Sequence, residues 1–181
     1  MDLSQVKVAG PCRITLDGVD LGHTLGGITF KADRELTKVM ADKYGSTPID
    51  YVLNGTECTL EFALAQTGYR QLDPTMPETS SYDGAGSMDR VDLGGDAGYS
   101  LRADAKQMII HPLKNAATDF SEDITIYLAV STGAVELPYK VDEQKVVNCT
   151  YTALVSEAYG AGRRLGHIGP AVSKNTNVTE E

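Results

Sequence analysis

The stretch Ile28-Thr29-Phe30-Lys31-Ala32-Asp33-Arg34-Glu35-Leu36-Thr37-Lys38 decides the fold. Ile28, Phe30, Ala32 and Leu36 recur at a period of two, with Thr29, Lys31, Asp33 and Glu35 between them. That period belongs to a strand with two unlike faces, not to a helix. The pattern predicts one long strand over 28–40. Tyr44-Gly45-Ser46-Thr47-Pro48 breaks it, and a second long run follows from Ile49 to Gln66. There Leu60, Phe62 and Leu64 alternate with Thr59, Glu61 and Ala63. Asn54-Gly55 interrupts the second run. The pair is either a hairpin turn or a kink in one strand, and the alternation on both sides favours the kink.

The remaining segments also read as strands. Arg13–Leu16 meets Val19–Leu21 across Asp17-Gly18, a strong hairpin signal. Further strands are expected at 99–102, 107–112, 123–130, 136–141 and 145–155. One short helix is expected over 68–76. Residues 77–98 hold five Gly with Ser and Asp and little apolar periodicity, so a long loop is expected there. The expected fold is therefore all-β: a sandwich or barrel of two packed antiparallel sheets with one short flanking helix. It is expected as a single domain over 1–181, with an N-terminal arm at 1–9 and a C-terminal arm at 165–181.

The chain has 181 residues, with 16 Lys+Arg against 25 Asp+Glu, a net charge of −9. That balance repels phosphate and argues against ordinary nucleic-acid binding. Cys12, Cys58 and Cys149 are far apart and odd in number, which argues against a disulfide scaffold or a structural zinc site. Reduced thiols are expected. The first seven residues have neither a basic nor an apolar signal segment, so a secreted chain is not expected. No window is apolar enough to span a membrane.

Catalytic signals are weak. His23, His111 and His167 stand alone, without metal-ligand spacing. Asp83, Asp89, Asp92 and Asp96 lack the spacing of a calcium loop and read as a solvated acidic stretch. Gly160–Gly166 lacks phosphate-loop spacing and reads as a turn. No catalytic residue, metal site or cofactor is expected, and the chain is not expected to be an enzyme.

The two long strands carry the functional signal. Strict alternation places Lys31, Asp33 and Glu35 on one face of the first, and Glu57 and Glu61 on the matching face of the second. Such a face is either an ordinary wet sheet surface or the lining of a channel built by several subunits, since long edge strands are a liability for a monomer.

The order of features resembles the tail tube (major tail) proteins of tailed bacteriophages. The carrying segments are Gly10–Gly22, Gly26-Gly27-Ile28-Thr29-Phe30, and Asp42-Lys43-Tyr44-Gly45-Ser46-Thr47-Pro48-Ile49-Asp50. Gly55 with Cys58–Leu64, Asp123–Ala129 and Val141–Val147 with Tyr151–Leu154 complete the likeness, over about 10–66 and 105–160. The resemblance implies a homo-hexameric ring, stacked into a hollow tube in the virion tail and assembled in the host cytoplasm. It implies tape-measure, tail-tip or baseplate and tail-terminator partners, and passage of double-stranded DNA without specific binding. Lys31, Asp33, Glu35, Glu57 and Glu61 would line the lumen, whose like charge lets DNA slide. The arms and the loop 77–98 would order on a neighbouring ring. Two other readings stand beside it: the inner tube of a contractile injection or secretion system, and a virion decoration or adhesion module.

Overall fold

The computed structural model describes residues 10–65, 68, 72–82, 90–142, 144–160, 162 and 164–171. The 1–9 arm and most of the 165–181 arm therefore lie outside the described residues. Among the described residues ten strands form: β1 (Cys12–Leu16), β2 (Val19–Asp20), β3 (Thr24–Met40), β4 (Pro48–Leu64), β5 (Thr79–Tyr82), β6 (Arg90–Leu93), β7 (Lys106–Pro112), β8 (Ile124–Ser131), β9 (Val147–Ala153) and β10 (Gly166–Ile168). Eight of them make one antiparallel sheet in the order β2-β1-β7-β8-β9-β4-β3, with β10 paired to β8. The second stacked sheet of a sandwich is not among the described elements. The other pairing is the ribbon β5–β6.

One face of the sheet closes on itself. Ile14 and Leu16 of β1 share a single apolar cluster with Leu60 and Phe62 of β4, although three strands lie between them in the sheet. Met108, Ile126, Val147 and Tyr151 fill the middle of that cluster. Each such side chain contributes roughly 1.5–3 kcal/mol by leaving water. The β1–β2 turn puts Asp17 at φ 51° and Gly18 at φ 79°, the left-handed pair that Asp-Gly adopts at a tight hairpin.

The structure departs from the expectations in several segments. The loop 77–98 contains the ribbon β5–β6, of which 83–89 lie outside the described residues. Its strands are four residues each and mostly polar, too short for alternation to show. Glu78 anchors the ribbon: its amide donates to Asp104 Oδ2 at 2.8 Å, and its carbonyl accepts from Gly94 N–H at 2.9 Å. A Cβ on Gly94 would collide with Glu78 at 2.4 Å.

Of the helix expected at 68–76, the described residues show one helical turn, in which the Leu72 amide donates to the Gly68 carbonyl at 3.0 Å, followed by a 3-10 turn at Asp73–Thr75 with Pro74 at its start. Residues 69–71 of that segment lie outside the described residues. The expected strand at 99–102 is a 3-10 turn at Leu101–Ala103. Residues 136–141 form no ladder: Pro138 lacks the donor a ladder needs, and Val135 and Leu137 pack on the core instead. Gly166–Ile168, at the head of the expected C-terminal arm, is a strand on β8.

The most informative element is the β3–β4 hairpin. Each strand has 17 residues. The neighbouring strand β9 covers β4 only from Thr59 to Leu64. Among the described residues, the outer half of the hairpin projects beyond the sheet with neither edge paired, and the outer edge of β3 pairs with no strand along its length.

Candidate functional site

The ladder brings all five expected lumen residues onto one face of this hairpin. Thr29 pairs with Glu61, Lys31 with Thr59, Asp33 with Glu57 and Glu35 with Gly55. In an antiparallel pair, directly opposed residues point to the same side. Four carboxylates and one ammonium thus share a strip about four residues long on each strand. Lys31 Nζ reaches Asp33 Oδ2 at 2.5 Å, both side chains being about 60% exposed. That hydrogen bond, followed by the charge of Asp33 and of Glu61 and Glu57, holds the Lys31 ammonium above its ordinary pKa.

The opposite face begins with Phe30 and Leu60, which reach the core. It continues outward through Ala32 and Arg34, then through Leu36 opposite Leu53 and Lys38 opposite Tyr51. These outer residues are uncovered: Leu36 is 51% exposed, Leu53 53% and Met40 56%. The polar strip ends near Glu35; Thr37 opposite Val52 continues that face.

Asn54 makes this segregation possible. The register slips between Glu35↔Gly55 and Leu36↔Leu53, leaving Asn54 as an extra residue in an unbroken β4. The bulge switches the parity of β4. Without it, Leu53 and Tyr51 would share a face with Glu57 and Glu61. Asn54 Nδ2 donates to Thr37 Oγ1 at 2.7 Å across the hairpin and holds the bulge in place. The kink expected at Asn54-Gly55 is this bulge; what periodicity missed was its effect on the faces beyond it.

The hairpin turns through Asp42–Tyr44, with Gly45 at φ 61° closing the turn. Tyr44 is the aromatic residue of this tip and is exposed.

At the base of the same hairpin, Phe30 and Cys58 face Ile124, Ile126, Leu165 and His167 across an apolar cleft of about 190 Å³. His167 Nδ1 lies 2.9 Å from Tyr127 Oη, and Tyr127 stacks on Tyr159. His167 Nε2 is buried with no hydrogen-bond partner among the described residues. Burial keeps its pKa below the ordinary value.

The other histidines are placed differently. His111 Nδ1 meets Asp123 Oδ1 at 2.7 Å with both side chains buried, and the pair ties β7 to the turn that starts β8. His23 is exposed. Asp92 pairs with Arg90 at 3.1 Å, while Asp83 and Asp89 lie outside the described residues. Among the described residues no group of three His, Cys, Asp or Glu is placed to hold a metal ion. All three cysteines are free thiols. Comparison of the chain with protein-family models and with curated protein sequences returns no match.

Proposed function

We propose that the chain is a structural subunit that assembles into rings stacked as a hollow tube, of the kind that forms the tail tube of tailed bacteriophages. One observation carries this reading. A long hairpin segregates an acidic face from an apolar one, and the outer half of the apolar face has no cover among the described residues. An isolated protein leaves such a surface in water at a cost; an assembly buries it.

The unpaired edge of β3 supports the same reading. Hairpins from successive subunits set side by side satisfy each other's edges, and a closed ring removes the last one. The barrel expected from the sequence is then completed between subunits. Six copies per ring is what the resemblance implies. The strip of Asp33, Glu35, Glu57 and Glu61, moderated by Lys31, faces the lumen, and the apolar face turns outward onto neighbouring protein. A lumen of this sign repels phosphate, so that double-stranded DNA passes without binding. The tape-measure, tail-tip or baseplate and terminator partners are those that the resemblance implies.

Negative-stain electron microscopy with native mass spectrometry of the purified protein tests this. Hollow rings or tubes and six-subunit masses are the expected result. A protein that stays monomeric when offered pre-formed tubes or tail tips overturns it.

A further inference from the structure

The bulge that sorts the two faces of the hairpin is built on the dipeptide Asn54-Gly55. The chain has five Asn, and only Asn54 is followed by Gly. An asparagine side chain carries an amide carbon that the next residue's backbone nitrogen can attack, and glycine is the follower that crowds that nitrogen least. We propose that Asn54 is a site of spontaneous covalent modification, which deamidates through a cyclic imide when the outer half of the hairpin opens, and that its bond to Thr37 slows the reaction. The modification belongs to the free subunit; its consequence for assembly rests on the tube reading.

The reaction needs only water. The Gly55 nitrogen forms a bond to Asn54 Cγ and gives up its proton to solvent. The Cγ–Nδ2 bond breaks and Nδ2 leaves as ammonia, which closes the imide. Water then opens the ring at one of its two carbonyls. Attack at Cγ leaves an aspartate, and attack at the main-chain carbonyl leaves an isoaspartate, whose chain runs through Cβ and Cγ. Nothing is oxidised or reduced.

The hairpin suits this chemistry. Asn54 and Gly55 are both exposed. A Cβ on Gly55 would meet no atom within 4 Å, so the space around it is open. Asn54 is the extra residue of the bulge and has no opposite residue on β3 in the ladder. Around it Leu36, Leu53 and Met40 are uncovered, and neither edge of this half is paired among the described residues. Segments with so few buried contacts open locally at well below the free energy of global unfolding. One contact opposes the reaction. Asn54 Nδ2, the leaving atom, donates to Thr37 Oγ1 at 2.7 Å. That bond ties the amide across the hairpin and must let go before Cγ can close on the Gly55 nitrogen. Asn148 is the contrast: it lies opposite Ala63 in β9, a strand held between β8 and β4, and precedes the buried Cys149.

The product matters because the bulge sets the parity of β4. Isoaspartate lengthens the backbone at the residue that keeps Leu53 and Tyr51 off the face of Glu57. Either product puts a carboxylate beside Thr37, on the face that already carries Asp33, Glu35 and Glu57. Aged free subunits should therefore stack poorly, while subunits already in a tube, with their hairpin edges paired, should keep Asn54.

The test follows the full-length chain over time by peptide mass spectrometry, as dilute free subunit at pH 8.5. Asn54 should convert to a mixture of aspartate and isoaspartate while Asn115 and Asn148 remain amides. Thr37→Val, which removes the acceptor, should speed the conversion about 2- to 10-fold. Gly55→Ala should slow it several-fold, and the open space at Gly55 lets this variant keep the fold. An Asn54 that stays intact in the folded chain but converts in urea overturns the proposal, because the hairpin then does not open. A Thr37→Val chain that converts no faster than wild type overturns the shielding by Thr37. Aged protein that stacks as well as fresh protein overturns the consequence for assembly. If the wild-type chain does not assemble even on pre-formed tubes, the tube reading falls, and the conversion of Asn54 in the free subunit still decides the modification site.

Discussion

Asp33 lies directly across the β3–β4 ladder from Glu57. Like charges in directly opposed positions destabilise a sheet, and the only cation on this face of the strip, Lys31, is bonded to Asp33. The arrangement costs the isolated subunit stability and makes sense where a dense negative face has a use. Glu57→Gln should therefore raise the thermal midpoint of the unassembled protein by about 1 °C at low salt. The gain should vanish near 1 M salt, where the Debye length is about 3 Å. Differential scanning calorimetry at two salt concentrations reads it, and a fall in midpoint at low salt would contradict it.

Tyr151 is buried in the core and held by both its ring and its hydroxyl. Its ring stacks on Phe62 with centroids 5.7 Å apart, and its hydroxyl donates to the Pro74 carbonyl at 2.6 Å. Ser131 Oγ donates to the next carbonyl, that of Thr75, at 2.5 Å. These two bonds fasten the 3-10 turn to β8 and β9. Tyr151→Phe leaves a carbonyl without its donor and should cost about 1–2 kcal/mol, lowering the midpoint by roughly 2–8 °C. Tyr151→Ala should cost about 3–5 kcal/mol through the cavity it leaves. Urea denaturation of both variants measures the ordering.

His167 gives the fold a dependence on pH. Burial depresses its pKa, so the folded chain favours the neutral imidazole. The unfolded chain then binds more protons over the window that starts at the ordinary value near 6.5 and runs down to the folded one. Stability contributed by neutral His167 is fully present above that window and is lost as pH falls through it. Amide exchange at 166–168 should accelerate relative to the rest of the sheet as pH drops from 7.5 towards 5, after correction for intrinsic rates. His167→Gln should remove the pH-dependent part. An unchanged profile in the variant would assign the effect elsewhere.

The three thiols should separate cleanly in reactivity. Burial pushes Cys149 up to about 12 and raises Cys58 as well. Cys12 is also raised by burial, but Lys114 opposes the shift. The thiolate is the reactive form. Iodoacetamide at pH 8 should therefore modify Cys12 first and Cys149 only after unfolding, as mass spectrometry of the native and urea-treated chain would show.

The long strands were legible in the sequence because a period of two persists over many residues in 28–40 and 58–64. All five residues of the acidic strip follow from that alternation. The outer half of β4 was not legible in the same way. Strict alternation places Leu53 and Tyr51 with Glu57, and only the extra residue at Asn54 moves them to the other face. One residue of slip inverts every side chain beyond it, and no composition signal reports its position. The ribbon β5–β6 was hidden for a different reason: polar four-residue strands satisfy backbone groups without an apolar stripe. The cleft beside His167 joins β10 to Phe30 and Cys58, residues more than a hundred positions apart, through folding alone.

The two faces of the hairpin should fail in different ways, and this separates assembly from conduction. Leu36→Glu with Leu53→Glu places charge on the uncovered apolar face. Both side chains are half exposed in the subunit, so the monomer should still fold, with a midpoint lowered by no more than about 2–8 °C: about 1 kcal/mol from the two surface sites and up to about 1 kcal/mol from the like charges now opposed across the ladder. Assembly should be lost, since burying unpaired carboxylates against apolar surface costs several kcal/mol each. Glu57→Lys with Glu61→Lys reverses the sign of the strip and leaves the apolar face intact. This variant should still form tubes. Short double-stranded DNA should now be retained by them, with an affinity that falls steeply between 50 and 200 mM salt as phosphate contacts release counterions. Sedimentation measures assembly and a filter-retention assay measures DNA. Tubes that neither lose assembly with the leucine pair nor gain DNA with the lysine pair would show that both faces had been assigned to the wrong side of the wall.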